Sequence, residues 1–137
     1  MWWIYALLSA LFAALTAILA KIGIKGVNTD LATAIRTVVI LFVAWGIVFA
    51  RGGIESLPTL TRQNWIFLIL SGVATGLSWI FYFKALQLGK VSQVAPVDKL
   101  SVAIAILFSV LFLGEVLTWK VALGAILIIG GTLVLIL

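Results

Sequence analysis

The chain has 137 residues, 65% of them hydrophobic and only 9% charged, with a mean hydropathy of +1.35. A soluble domain carries about 25% charged residues, so lipid must be the solvent for most of this exterior. Cysteine and histidine are both missing, which excludes disulfides, thiol chemistry and the usual zinc sites, and the net charge of +5 forms no extended patch for nucleic acid.

A helix needs about 20 apolar residues to cross roughly 30 Å of hydrocarbon. Five stretches meet that length: residues 2–24, 31–50, 65–83, 94–113 and 119–137. Ten-residue alternating patterns are absent, which argues against a membrane barrel. The predicted fold is an all-α membrane protein with five transmembrane helices in one domain, 1–137. No Lys or Arg precedes the first span, and its apolar run is too long for a cleaved signal peptide. Five crossings place the two termini on opposite faces, here side A for the N-terminus and side B for the other.

The first span ends at Lys21-Ile22-Gly23-Ile24-Lys25-Gly26. Lys21 shares a helical face with Ala10, Ala14 and Ala17, and reads either as a flank anchor or as part of a substrate path. In the turn that follows, Asn28, Thr29 and Asp30 are helix-starting types, with Asp30 the expected cap of span two. Arg36 lies about a turn and a half inside that span, where it is expected to pair or to snorkel. The longest connection, 51–64, holds Gly52, Gly53 and Pro58 and is expected to be irregular and interfacial.

Span three carries Gly72 and Gly76 in a small-xxx-small pattern that lets another backbone approach. It closes on Trp79-Ile80-Phe81-Tyr82-Phe83-Lys84, where a cation beside aromatics either lines a path or marks the membrane boundary. Span four opens with Ser92-Gln93-Val94-Ala95-Pro96-Val97-Asp98-Lys99-Leu100-Ser101. With Ser92 as cap, Pro96 is expected at the fourth helical position, leaving the Ser92 carbonyl free. Asp98 then lies about 8–10 Å into the protein, on a face with Ser101, Ala105 and Ser109. Lys99 is rotated about 100° from it.

An ionisable group at such depth normally faces a bundle interior or a wet cavity. Asp98 is read in three ways: an ion-pair partner of Arg36, Lys21 or Lys84, a proton- or ion-coupling carboxylate, or a snorkelling group. Gly114 and Glu115 make a tight turn, Thr118 is the expected cap of span five, and Gly124 and Gly131 lie on one face of it. Packing or dimerisation is the reading for Gly72, Gly76, Ser101, Ala105, Ser109, Gly124 and Gly131.

Trp2, Trp3, Tyr5, Trp65 and Trp119 all fall at side-A ends of spans, as a headgroup belt requires. Side A holds Arg51, Arg62 and Lys120 against Glu55 and Glu115; side B holds Lys21, Lys25, Arg36, Lys84, Lys90 and Lys99 against Asp30 and Asp98. The positive-inside rule makes side B, with the C-terminus, cytoplasmic. Arg36 and Lys99 lie within spans, and without them the cations stand four to three, the near-balance of a dual-topology protein.

These residues resemble the EamA-like family of the drug/metabolite transporter superfamily, in particular its short five-helix members with a single repeat. The likeness covers nearly the whole chain. It is strongest over Ala95-Pro96-Val97-Asp98-Lys99-Leu100-Ser101, Leu111-Phe112-Leu113-Gly114-Glu115-Val116-Leu117-Thr118 and residues 124–130, with support from Ala20-Lys21-Ile22-Gly23 and Ala32-Thr33-Ala34-Ile35-Arg36-Thr37.

The resemblance implies secondary active transport across the inner membrane; no nucleophile–base pair or phosphate-binding glycine loop points to an enzyme, and no cofactor is expected. Longer relatives carry two such repeats in opposite orientations, so a single repeat implies an antiparallel homodimer with a midplane site. The functional glutamate of the more distant small multidrug resistance proteins has no counterpart, since residues 2–20 contain no acid. The expected substrate is a small polar metabolite, with the side-B cations favouring a carboxylate, moved with a proton or another coupling ion. Its path would use Asp98, Lys99, Lys21, Arg36, Lys84, Trp79, Tyr82 and Pro96. The alternatives are export of hydrophobic cations through a pocket of Trp79, Tyr82 and Asp98, or a non-transporting partner subunit.

Overall fold

The computed structural model describes all 137 residues. Six α-helices and one 3₁₀ turn account for nearly the whole chain: α1 (Trp2–Gly23), α2 (Thr29–Ala50), the 3₁₀ turn (Gly53–Thr59), α3 (Arg62–Leu88), α4 (Val91–Asp98), α5 (Leu100–Leu113) and α6 (Trp119–Ile136). No strand forms. With α4 and α5 taken together as Val91–Leu113, five helices are long and apolar enough to cross a membrane. This is the expected all-α membrane architecture. In lipid a helix satisfies its own backbone, which is why apolar stretches of this length have no other regular option.

The chain separates into two compact units, Leu19–Gln87 and a second made of Met1–Ile18 with Leu88–Leu137. In the first, α1 finishes at Gly23 and the chain reverses through Gly26, whose φ of 75° is a left-handed value that L side chains rarely adopt. Asn28 caps α2: its Oδ1 accepts from the backbone N–H of Asp30 at 2.9 Å and of Leu31 at 3.1 Å. Asp30, the expected cap, instead sits in the first turn, where its charge favours the positive end of the helix dipole.

The long connection is more ordered than its glycines and proline imply. Residues 53–59 wind into a 3₁₀ turn that packs back on α2. Helix α3 then starts earlier and ends later than the apolar run, because Thr61 and Asn64 bond each other at its start and Lys84–Leu88 continue it without a helix breaker. The buried residues of this unit are Ala20, Ile24, Thr29, Thr33, Phe83 and Leu86, all at the end where α1 finishes, α2 begins and α3 finishes. Thr33 Oγ1 donates to the Thr29 carbonyl at 2.8 Å, so its hydroxyl enters the dry region without a stranded donor.

In the second unit α4, α5 and α6 pack on one another. The fourth span is broken. Helix α4 begins at Val91, not after Ser92, with Lys90 in the cap position and no side-chain cap bond. Pro96 is therefore the sixth helical residue, where the fourth was expected, and its ring still denies the Ser92 carbonyl a donor. The helix stops one turn later: the Lys99 N–H reaches both the Ala95 carbonyl at 3.3 Å and the Pro96 carbonyl at 3.0 Å, and α5 starts afresh at Leu100.

Thr132 of α6 splints the break. Its Oγ1 lies 2.8 Å from the Ile128 carbonyl and 3.3 Å from the Pro96 carbonyl. At the far end Gly114, with φ of 68°, lets the Glu115 N–H return to the Ser109 carbonyl at 3.2 Å. Thr118 then caps α6 through Val121 N–H at 3.4 Å, as expected.

Candidate functional site

One cluster of polar and aromatic groups of the first unit lies where α1 finishes, α2 begins and α3 finishes. Arg36 extends from α2 onto the aromatic face of α3, with Cζ 4.2 Å from the centre of the Phe83 ring and 5.7 Å from that of Trp79. Tyr82 meets Phe83 edge-on at 5.6 Å between centroids. A guanidinium over aromatic rings is favoured by the ring quadrupole, and its weaker hydration makes Arg better suited to this than Lys. Arg36 Nη1 is nonetheless buried without a hydrogen-bond partner. Such a donor is costly to strand, and a carboxylate can satisfy it in a bidentate pair.

Nearer the end of the same unit, Lys21 Nζ donates to the Leu86 carbonyl. Gln87 Nε2 donates to the Val27 carbonyl at 2.9 Å and approaches that of Ile24 at 3.4 Å. An open pocket of about 530 Å³ lies here, lined by Lys21, Ile22, Ile24, Lys25, Gly26 and Gln87. Two lysines and no acid give it a positive lining. Lys84, one of the expected path residues, is exposed, while Trp79 and Tyr82 are half-buried.

In the second unit Asp98 is the last residue of α4, followed by the break. Its Oδ2 lies 3.2 Å from Lys99 Nζ. Helical rotation alone would separate this pair; the interruption at Lys99 and its long side chain bring the ammonium back across. Neither side chain is buried within one copy, at 34% exposure for Asp98 and 56% for Lys99. The half-buried stripe of α5 is Ala103, Ile106, Ser109 and Val110, while Ser101 and Ala105 point outward in a single copy. Gly72 and Gly131 are exposed and Gly76 and Gly124 half-buried, and a Cβ built at any of the four meets nothing within 4 Å. No neighbour inside one chain requires glycine at those positions.

The EamA-like transporter family matches residues 1–137, the entire chain. The chain belongs to that family. A Sinorhizobium sp. protein described as an uncharacterized transporter in the cobO 3' region is 52% identical over 134 residues, covering 98% of this chain and 95% of its own length. No solved structure matches. This EamA-like chain is accordingly a multi-pass membrane transporter of the drug/metabolite superfamily.

Sequence reasoning passes over Phe83, Gln87 and Thr132. Phe83 is one aromatic among several in a row. Gln87 and Thr132 are single polar residues in or beside apolar runs, and that polarity is the available signal. Their acceptors lie far along the chain, so no local pattern names them.

Proposed function

We propose that this EamA-like chain is the subunit of an inverted homodimer that moves a small, carboxylate-bearing polar metabolite across the inner membrane, with its C-terminus mainly cytoplasmic. The observation that carries the substrate class is Arg36. Its guanidinium is held on Phe83 and Trp79, yet Nη1 keeps an unused buried donor. A carboxylate arriving there completes the arginine's bonding without displacing an existing partner. The cationic pocket beside Lys21 and Lys25 supports the same sign of charge. The open space at the glycines of α3 and α6 supports a second copy, since small residues let another helix approach closely.

The same geometry weighs against export of hydrophobic cations. That reading needs the Trp79 face free for a foreign cation, and the Arg36 guanidinium already lies 5.7 Å from the centre of that ring. Purified protein in liposomes tests the matter directly. Uptake from a panel of carboxylates, neutral metabolites and hydrophobic cations should favour a carboxylate. Arg36→Gln should raise its KM about 10- to 100-fold, the worth of a charge-assisted hydrogen bond, and leave any neutral substrate little changed. Preference for a hydrophobic cation would overturn the substrate class. No uptake of any compound would leave the partner-subunit reading in its place.

A further inference from the structure

We propose that Lys21 and Gln87 form the gate on the membrane face where α1 and α3 end: a reciprocal clasp, closed in this structure, that parts in each transport cycle. The proposal rests on the transport reading above and assigns that reading two gate-positioning residues.

Helix ends supply the physical reason. The last carbonyls of any helix lack intrahelical donors and must find them elsewhere. Here Lys21 of α1 supplies an end carbonyl of α3, and Gln87 of α3 supplies carbonyls of the turn that follows α1. Gln87, near the end of α3, donates to the Val27 and Ile24 carbonyls just beyond α1. Lys21, near the end of α1, donates to the Leu86 carbonyl of α3. These residues are 60 or more positions apart in sequence, so the bonds exist only while the two ends are together.

Beneath the clasp lies an apolar plug. Ile24 is 2% exposed, Phe83 1% and Leu86 0%, the least exposed side chains in the chain. On α2 and α3, the stretches leading away from this end contain no buried residue, 34–50 on α2 and 62–82 on α3. Clasp and plug therefore close one end of this unit.

Depth makes the clasp reversible. From the belt residue Trp65 to Gln87 is about 33 Å along α3, enough to cross the hydrocarbon. Lys21 and Gln87 thus meet at the headgroup level, where water is at hand. On opening, the freed carbonyls, ammonium and amide exchange protein partners for water at small net loss. A clasp at the bilayer centre would have no such replacement. Opening also turns the Lys21 ammonium toward the pocket it lines, where an incoming carboxylate can take the place of the Leu86 carbonyl.

The native chain has no cysteine, so a single introduced thiol reports without background. Thr33→Cys places one in the buried region under the clasp, and Thr132→Cys places a control in the other unit. In liposomes, a water-soluble maleimide should label the thiol at position 33 slowly in the otherwise native protein. Gln87→Glu keeps the shape but loses the donor, and should speed that labelling about tenfold. Lys21→Met should act likewise, and Lys21→Arg, which keeps donors, should restore slow labelling.

Labelling at position 132 should not change, whereas general loosening of the fold would raise both. Unchanged labelling at position 33 in Gln87→Glu and Lys21→Met overturns the gate, as does equal acceleration at position 132. These rates need no substrate. Failure of the transport reading would appear separately, as absent uptake by the native protein.

Discussion

Asp98→Asn should bring uptake driven by an imposed proton gradient down to the level of empty liposomes, while the yield of folded protein stays near that of the native chain. Asp98 is the eighth residue of a span running from Val91 to Leu113, deeper than any other acid: Asp30 is in the first turn of α2, and Glu55 and Glu115 lie in connections. It is thus the carboxylate to which the proposed transport function assigns a coupling charge. Its pairing with Lys99 joins neighbours in the chain and ties no two spans together. Removing the charge should therefore cost little stability, and asparagine keeps the shape. Downhill exchange of substrate should survive, because it needs no coupling. Gradient-driven uptake at the native rate would make Asp98 structural or merely tolerated. Loss of folded protein would return it to the ion-pair reading, since breaking a needed pair leaves its partner uncompensated.

The second large effect concerns orientation. Cations near span ends differ little between the faces, and short loops orient by such counts. Ser56→Lys, Thr59→Lys and Gln63→Lys add three charges at exposed side-A positions and avoid Gly52, whose φ of 69° would strain any side chain. A C-terminal reporter should then move from mainly cytoplasmic to mainly outside. Leu88→Lys and Gln93→Lys, also exposed, should fix the opposite orientation. An inverted homodimer needs both, so each locked variant should be inactive alone and active when the two are co-expressed. Full activity from one locked form would make the dimer parallel or unnecessary.

Element identity is open to sequence reasoning because an apolar run of span length has one regular structure in lipid. Thr118 can be recognised as a cap for the same local reason: it directly precedes the run it starts. The errors lie where several local options compete or where the partner is distant. Asn28, Thr29 and Asp30 are all capping types in a row, and only the backbone path chooses Asn28. Pro96 lies in a helix as expected, but the start at Val91 moves it by two positions.

For Arg36 the sequence offers a choice between pairing and snorkelling, with a carboxylate as the named partner. Its place on Phe83 depends on a residue 47 positions further along the chain coming within reach, which periodicity does not encode. The clasp is least legible. A glutamine at the end of an apolar helix has no signature until the chain end it caps is brought beside it.

The small dry interior has a thermodynamic consequence. Only Ala17, Ala20, Ile24, Thr29, Thr33, Phe83, Leu86 and Thr132 are buried within one copy. The steepness of a denaturation curve grows with the surface that unfolding uncovers, and one copy has little to uncover. A lone chain in detergent therefore has little reason to come apart all at once, and its helix contacts should fade over a wide range of denaturant. Association adds buried surface and makes the transition depend on protein concentration. In the proposed homodimer, cooperativity of unfolding would be a property of the assembly, and a sharp melt would itself measure how many copies are melting together.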